Sequence, residues 1–217
     1  MELIFISILI LTFFAGESKN LRFSVYCLIA NSLFIVIAVF VMGFYYDIKS
    51  LYWIALLDLF VRVLICPLFI LKSIKNRIQI ETKPTISHPL SIALSIVVIS
   101  LFYHFMGIFK TMNLPQVLPS FACGITLFIY GLYLLISKND TVKMVICFFI
   151  VENGIHLLII SLIPRLPKFI EFTLSLNFIV AISFFLYIIL RLNEILVEEE
   201  IEQHKQTKVI HRLEEKK

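Results

Sequence analysis

Long apolar runs constrain the fold of this chain more than any other feature. A helix that crosses a bilayer needs about 20 mostly apolar residues, and seven runs approach or exceed that length. They are Met1–Gly16, Leu21–Tyr46, Leu51–Leu71, Pro89–Phe109, Val117–Ile136, Thr141–Ile163 and Lys168–Leu190. The runs are too long and too uniform for the strands of a membrane barrel. We therefore predict an all-α fold, a polytopic membrane helix bundle of about seven transmembrane helices.

The composition agrees with a chain that is embedded in a membrane. Hydrophobic residues make up 60% of the chain and charged residues only 16%, whereas soluble domains average about 45–50% apolar and about 25% charged residues. The net charge of +4 arises from short connectors and the C-terminal tail, with no basic face interleaved with aromatic residues. These features argue against nucleic acid as a partner and indicate the lipid bilayer.

The basic residues of the loops predict the orientation. The side that holds the N-terminus carries few of them, and the opposite side, with Lys19, Arg22 and the basic residues of the tail, carries many. We expect the richer side to be cytoplasmic, so that the N-terminus lies outside and the C-terminus inside. The predicted location is the inner (cytoplasmic) membrane, which the chain crosses several times.

Three segments are predicted along the chain. Residues 1–116 form a four-helix membrane segment and residues 117–192 a three-helix membrane segment. Residues 193–217 form a charged cytoplasmic tail, in which Glu–Lys pairs favour a helix. No metal-spaced cysteines, phosphate-binding loop or catalytic triad is visible, so we predict no catalytic residue, no metal site and no cofactor in this chain.

Glu152 is the most informative polar residue inside a predicted helix. It lies at the midpoint of the sixth run, and His156 follows four residues later on the same helical face. An ionisable group at this depth costs about 2.5–3.5 kcal/mol on insertion scales, and such a carboxylate binds protons more readily. We predict that Glu152 and His156 belong to a proton relay. The alternative is a glutamate that only cross-links helices through hydrogen bonds.

Asp58 and Arg62 form a second polar pair, four residues apart in the third run. They are either a self-neutralised pair that lowers the cost of insertion or further members of the relay. Pro67, one turn later, is expected to kink this helix. Three asparagines are candidate polar support, because each can bind water or cross-link helices: Asn31, Asn153 and Asn177.

Two of these runs carry motifs of a known family. The sixth run contains ENG-H-L at Glu152, Asn153, Gly154, His156 and Leu157, and the third contains DLFVRVLICPLFI. With the length and the seven-run layout, these motifs resemble the hydrogenase-4 component E family over most of the chain. The last three runs are also similar to the three-helix K subunit of bacterial NADH:quinone oxidoreductase and to the C subunit of multisubunit sodium/proton antiporters.

The resemblance implies a non-catalytic subunit in the membrane arm of an energy-converting [NiFe] hydrogenase or formate hydrogenlyase-type complex. Its partners would be antiporter-like membrane subunits and soluble hydrogenase subunits, whose electron transfer is coupled to proton movement. Glu152 matches the acid in the second helix of the K subunit and would act as a relay carboxylate. Two alternatives stay open, namely a subunit of a multisubunit cation/proton antiporter and a purely structural membrane scaffold.

The seventh run departs from the K subunit. That subunit has a second acid in its third helix, but the matching position here is near Ala181, with Asn177 one turn earlier. Neither side chain can ionise. Either the relay is shorter than in the K subunit, or Asp58 substitutes for the missing acid.

Overall fold

The described part of the chain is helical. The structure, a computed structural model, describes residues 2–75, 87–111 and 118–162 together with Val180, Ser183 and Tyr187, and no strand occurs among them. The helices are α1 (Glu2–Glu17), α2 (Leu21–Tyr45), α3 (Lys49–Asp58), a π-helical segment (Leu59–Ile65), α4 (Cys66–Lys75), α5 (His88–Thr111), α6 (Leu118–Ser137) and α7 (Thr141–Leu162). The prediction of an all-α fold is therefore confirmed.

Five helical stretches of the described chain are long and apolar enough to cross a membrane. They are Leu21–Tyr45, Lys49–Lys72, His88–Ile108, Pro119–Ser137 and Val142–Leu162, and they coincide with the second to sixth predicted runs. The first run forms α1, which has 16 residues and falls short of the usual crossing length of about 20 residues. Most of the seventh run and the whole tail lie outside the described residues.

The third predicted helix is one continuous helical stretch with an irregular centre. Between α3 and α4 the backbone forms the π-helical segment, and the amide of Cys66 donates to the carbonyl of Val61, five residues earlier. A proline inside a helix has no amide hydrogen and collides with the carbonyl four residues back. The wider π turn ends just before Pro67, so the helix is irregular near this proline through a π-helical segment. Arg62 lies within that segment.

Three glycines let α6 and α7 approach closely. A Cβ atom on Gly154 would lie 2.5 Å from the backbone nitrogen of Phe128, and one on Gly131 would lie 2.7 Å from the backbone nitrogen of Val151. Gly124 makes a similar approach to α7 from the same side of α6. Small residues at such positions allow backbones to pack against each other in membranes. The contact fixes how α7 is rotated, and hence which of its side chains face the interior.

Lys143 ties the start of α7 to the end of α1. Its Nζ donates to the carbonyls of Ala15 and Gly16 at 3.0 and 3.2 Å and to the hydroxyl of Ser24 at 2.6 Å. The last carbonyls of a helix have no partner within it, and a cation there complements the helix dipole. The end of α1 and the starts of α2 and α7 therefore meet at one end of the bundle, where Lys19 and Arg22 also lie.

We predict that Gly154→Ala separates α6 from α7 and destabilises the bundle by about 1–3 kcal/mol, the usual cost of overpacking. Gly107→Ala on α5 is the matched control, because a Cβ there meets nothing within 4 Å. Both changes replace glycine by a better helix former. Any difference in stability between the two variants therefore comes from the contact of the new Cβ at position 154 with Phe128. Thermal unfolding of the detergent-purified chain measures the difference, and equal unfolding temperatures would show that the contact is not tight.

Candidate functional site

A buried polar network centred on Arg62 joins the π-helical segment to α7. The Arg62 side chain is 2% exposed. Its Nε donates to Oδ1 of Asp58, its Nη1 to Oδ1 of Asn153 and its Nη2 to Oε1 of Glu152, each at 2.9 Å. A buried cation is tolerated only when such partners compensate the loss of water. Arg62 therefore brings together two carboxylates that lie 94 positions apart in the chain.

His156 is the partner of Asp58 in this network. Its Nε2 lies 2.6 Å from Oδ2 of Asp58, so both oxygens of this fully buried carboxylate are engaged. The sequence placed His156 on the same helical face as Glu152, but the hydrogen bond that the imidazole makes is with Asp58 on the neighbouring helix. A proton in this bond can reside on either the imidazole or the carboxylate, since both groups can bind one.

Two asparagines extend the network to α2 and α1. Nδ2 of Asn153 donates to Oδ1 of Asn31 at 3.1 Å, and Nδ2 of Asn31 donates to the carbonyl of Ile8 at 2.8 Å and to Oγ1 of Thr12 at 2.6 Å. Asn31 and Asn153 thus cross-link three helices. The sequence does not single out Thr12, because a threonine within a helix commonly bonds only its own backbone, as its hydroxyl also does here with the carbonyl of Ile8 at 2.7 Å.

Glu152 lies at the outer edge of the network. Its side chain is 20% exposed, whereas Asp58, Arg62 and His156 are buried. Of the four residues predicted for the relay, Glu152 is therefore the one that reaches the surface of the described chain. The structure brings these four residues together with Asn31 and Asn153, while Asn177 lies outside the described residues.

A second buried charge, Glu17, lies at the end of the bundle where α1 terminates. Glu17 falls between the first two predicted apolar runs, in a short polar connector, but its side chain is 4% exposed. It accepts hydrogen bonds from the hydroxyls of Ser91 and Ser95 at 2.9 and 2.8 Å and from Nζ of Lys138 at 2.8 Å. The two serines, four residues apart in an apolar run, are the sequence signal that could have indicated a polar partner.

The pKa of Glu17 reflects two opposing effects. Burial raises the pKa of this carboxyl, but the hydrogen bonds from Lys138, Ser95 and Ser91 and the charge of Lys138 hold it below its ordinary value. Glu17 is thus kept ionised by its neighbours, although its surroundings disfavour charge.

Histidine, cysteine and carboxylate side chains are the usual metal ligands in proteins. No group of three or more His, Cys, Asp or Glu side chains in the described ranges is arranged to hold a metal ion. The cysteines Cys27, Cys66, Cys123 and Cys147 are buried as free thiols. These four side chains fill space between helices, as buried cysteines commonly do.

Comparisons with known proteins do not assign a family or a function to this chain. No known protein family, curated protein or solved structure matches the chain. The resemblance to the hydrogenase-4 component E family and the relay roles of the network residues therefore stay predictions.

We predict that Arg62→Gln destabilises the chain by about 3–5 kcal/mol, because it leaves two carboxylates without their shared cation in a buried site. Arg22→Gln, at an exposed position at the start of α2, is the matched control and should change stability by less than about 0.5 kcal/mol. Thermal unfolding in detergent measures both. A stable Arg62→Gln protein would mean that the carboxylates are already neutralised by protons.

We predict that acid weakens the Glu17 cluster. The pKa of Glu17 is lower in the folded chain than its ordinary value of 4.5. The ion pair therefore stabilises the fold fully above about pH 4.5, and this stabilisation is lost as the pH falls through the folded-state pKa. Unfolding temperatures measured from pH 7 down to pH 3 should fall less steeply for Glu17→Gln than for the wild type. Glu2→Gln, at an exposed acid, should keep the wild-type slope, and an unchanged slope for Glu17→Gln would contradict the prediction.

Proposed function

We propose that this chain is a non-catalytic membrane subunit of an energy-converting [NiFe] hydrogenase complex. It contributes an intramembrane carboxylate to a proton path that is coupled to electron transfer in partner subunits. The observation that carries this proposal is the pair of carboxylates, Asp58 and Glu152, held by the same guanidinium and adjoined by His156. The motifs around Glu152 and Arg62 that resemble the hydrogenase-4 component E family supply the identity of the complex.

The proposed topology has seven transmembrane helices, with the N-terminus outside and the C-terminus in the cytoplasm of a cell whose inner membrane holds the complex. The five long helical stretches support it, and α1 and the seventh run complete the count. The meeting of Lys19, Arg22, Lys138 and Lys143 at one end of the bundle supports that end as the cytoplasmic one.

The charge of the central network explains how it could hold a mobile proton. Arg62 carries one positive charge, and Asp58 and Glu152 together carry two negative charges when ionised. A net charge in a buried site is costly, so one further proton, on His156 or on a carboxylate, brings the network to neutrality. When Arg62 shifts toward one carboxylate, the other gains proton affinity. The proton can then move between the buried Asp58–His156 pair and Glu152.

A structural scaffold is the second candidate function. It is favoured by the observation that Arg62 donates through three different nitrogens to three side chains, as expected of a fully satisfied cross-link between helices. The scaffold and the relay differ in what they require of Glu152. A scaffold needs an acceptor at this position, whereas a relay needs a group that gains and loses a proton.

Copurification tests the identity of the complex. An affinity tag on this chain, expressed in its own cells, should isolate the soluble large and small hydrogenase subunits together with antiporter-like membrane subunits. Recovery of membrane subunits alone would contradict the hydrogenase assignment and favour the antiporter alternative.

We predict that Glu152→Gln leaves assembly intact and uncouples the complex, because glutamine keeps the acceptor for Arg62 but cannot carry the proton. In membrane vesicles supplied with reduced methyl viologen, dihydrogen evolution should continue. The membrane potential formed per dihydrogen, read with an oxonol dye, should fall by about tenfold or more, as when an acid–base group is lost.

Glu2→Gln is the matched control for Glu152→Gln and should stay fully coupled, because Glu2 is exposed at the start of α1. If Asp58 replaces the acid missing from the seventh run, Asp58→Asn gives the same uncoupling. Full coupling in Glu152→Gln would refute the relay and leave the scaffold.

A further inference from the structure

We propose that Glu17 is a proton-exchange site at which the membrane path opens to the aqueous phase, with Lys138 as its displaceable counter-ion. The inference rests on the proposed proton path and adds a terminal station to it. Its basis is the position of a buried carboxylate at the end of the bundle, where it is enclosed by residues of α5 and by the connector after α6.

His88 connects this carboxylate to solvent. Its Nδ1 lies 3.9 Å from Oε2 of Glu17, and its side chain is 39% exposed. An imidazole nitrogen can bind or release a proton, so the exposed His88 can pass a proton between solvent and the buried acid once it moves within hydrogen-bond distance of Glu17. The ammonium of Lys138, which binds the same carboxylate oxygen at 2.8 Å, comes from the connector between α6 and α7 rather than from within a helix.

The surroundings of Glu17 contain charges of both signs. Besides Lys138 and His88, the ammonium of Lys143 lies close enough to interact electrostatically with Glu17. Among the described residues of α6 and α7, the other titratable groups that interact electrostatically with Glu17 are Tyr130 and Cys147. An ionised Glu17 is thus balanced by Lys138. Without Lys138 in place, burial favours the protonated acid.

Tyr130 provides an independent indication of a path inward from Glu17. Its side chain is completely buried, and its hydroxyl faces Ser95 but forms no well-aligned hydrogen bond with any described residue. A buried hydroxyl without a well-aligned partner is unfavourable in a purely structural role. A hydroxyl both donates and accepts hydrogen bonds, so it can pass a proton from one side to the other.

Helix α1 connects this cluster to the central network. The Tyr130 hydroxyl lies beside Gly16, where a Cβ atom would be 2.9 Å from it. Thr12, which accepts from Asn31 in the network of Arg62, is one helical turn before Gly16, or about 6 Å along the axis. The two buried polar clusters therefore occupy successive turns of the same helix.

The exchange step begins when Lys138 leaves Glu17. A protonated His88 then transfers its Nδ1 proton to Oε2 of Glu17, which gives a neutral imidazole and a neutral carboxylic acid, and the imidazole regains a proton from water. The acid rotates so that its proton lies on Oε1 and donates it to the hydroxyl of Ser95. Ser95 passes its own proton to Tyr130, and Tyr130 releases its own proton toward the central network around Arg62, which accepts it, so both hydroxyls stay neutral. Glu17 is then a carboxylate again, and Lys138 returns to it as counter-ion, so one proton has moved inward and the charge of the cluster is unchanged.

Tyr130→Phe tests this path, because it removes only a hydroxyl that forms no well-aligned hydrogen bond in the structure. In the full complex we expect an unchanged or higher unfolding temperature together with a membrane potential per dihydrogen that falls by roughly threefold or more, as for the loss of a proton-transfer group. Tyr133→Phe is the matched control. Its hydroxyl lies 3.2 Å from the carbonyl of Ser91 and 3.1 Å from the Ser91 hydroxyl, so this variant should lose stability and keep its coupling.

Glu17→Gln should lower the membrane potential per dihydrogen as strongly as Glu152→Gln does. Full coupling in both Tyr130→Phe and Glu17→Gln, with Glu152→Gln uncoupled, would overturn this inference and leave the proposed function standing. If Glu17→Gln fails to assemble, the comparison of Tyr130→Phe with Tyr133→Phe decides alone.

A failure of the hydrogenase assignment leaves the inference testable without an electron donor. Liposomes that contain the full chain with its copurifying membrane subunits are then given a potassium diffusion potential with valinomycin, and internal pyranine reports proton movement. Slower acidification for Tyr130→Phe than for Tyr133→Phe is the expected result, and equal rates would overturn the inference.

Discussion

The buried guanidinium of Arg62 determines much of the rest of the structure. A cation at this depth requires anionic and polar partners on all sides, and it finds them on two separate helices, in Asp58, Glu152 and Asn153. Glu152 and Asn153 can reach Arg62 only if α7 is rotated so that both side chains point toward it. The close packing of Gly154 against Phe128 fixes that rotation, and the π-helical segment turns Arg62 toward α7. Helix packing and charge compensation thus depend on each other, and neither arrangement would be favourable alone.

Much of the fold follows from local properties of the chain. The second to sixth spans could be predicted because length and hydropathy depend only on neighbouring residues, and the Asp58–Arg62 pair follows from helical spacing. The bond between His156 and Asp58 could not, because it depends on how two distant helices face each other. Glu17 looked like part of a polar connector because the sequence does not show that the starts and ends of α1, α5 and α6 enclose it. The π-helical segment arises beside a proline for which a simple kink was the ordinary expectation.

The two charged clusters complement each other in sign. Ionised Asp58 and Glu152 exceed the charge of Arg62 by one, whereas Lys138 and Lys143 exceed that of Glu17 by one. A change of protonation or contact with solvent lowers the cost of burying each cluster. Helix α1 contacts both clusters, at Thr12 and at Gly16, which are one turn apart. A proton bound at the central network neutralises it, while the cationic end of the bundle disfavours protons that linger there. In the proposed path, a proton therefore resides at the central network and passes the Glu17 cluster only briefly.

Glu152 and Glu17, the two ends of the proposed proton path, lie toward different faces of the bundle. Glu152 lies in the middle of α7 and is partly exposed on the side of the bundle, where a membrane protein faces lipid or another subunit. Glu17 reaches the end of the bundle through His88. A transporter that works alone needs two aqueous outlets, one on each side of the membrane. A lateral outlet at mid-depth serves a proton only if a neighbouring subunit provides an acceptor, because lipid cannot solvate the charge. For the proposed proton path, this arrangement therefore fits a subunit that passes protons sideways within an assembly better than an independent transporter.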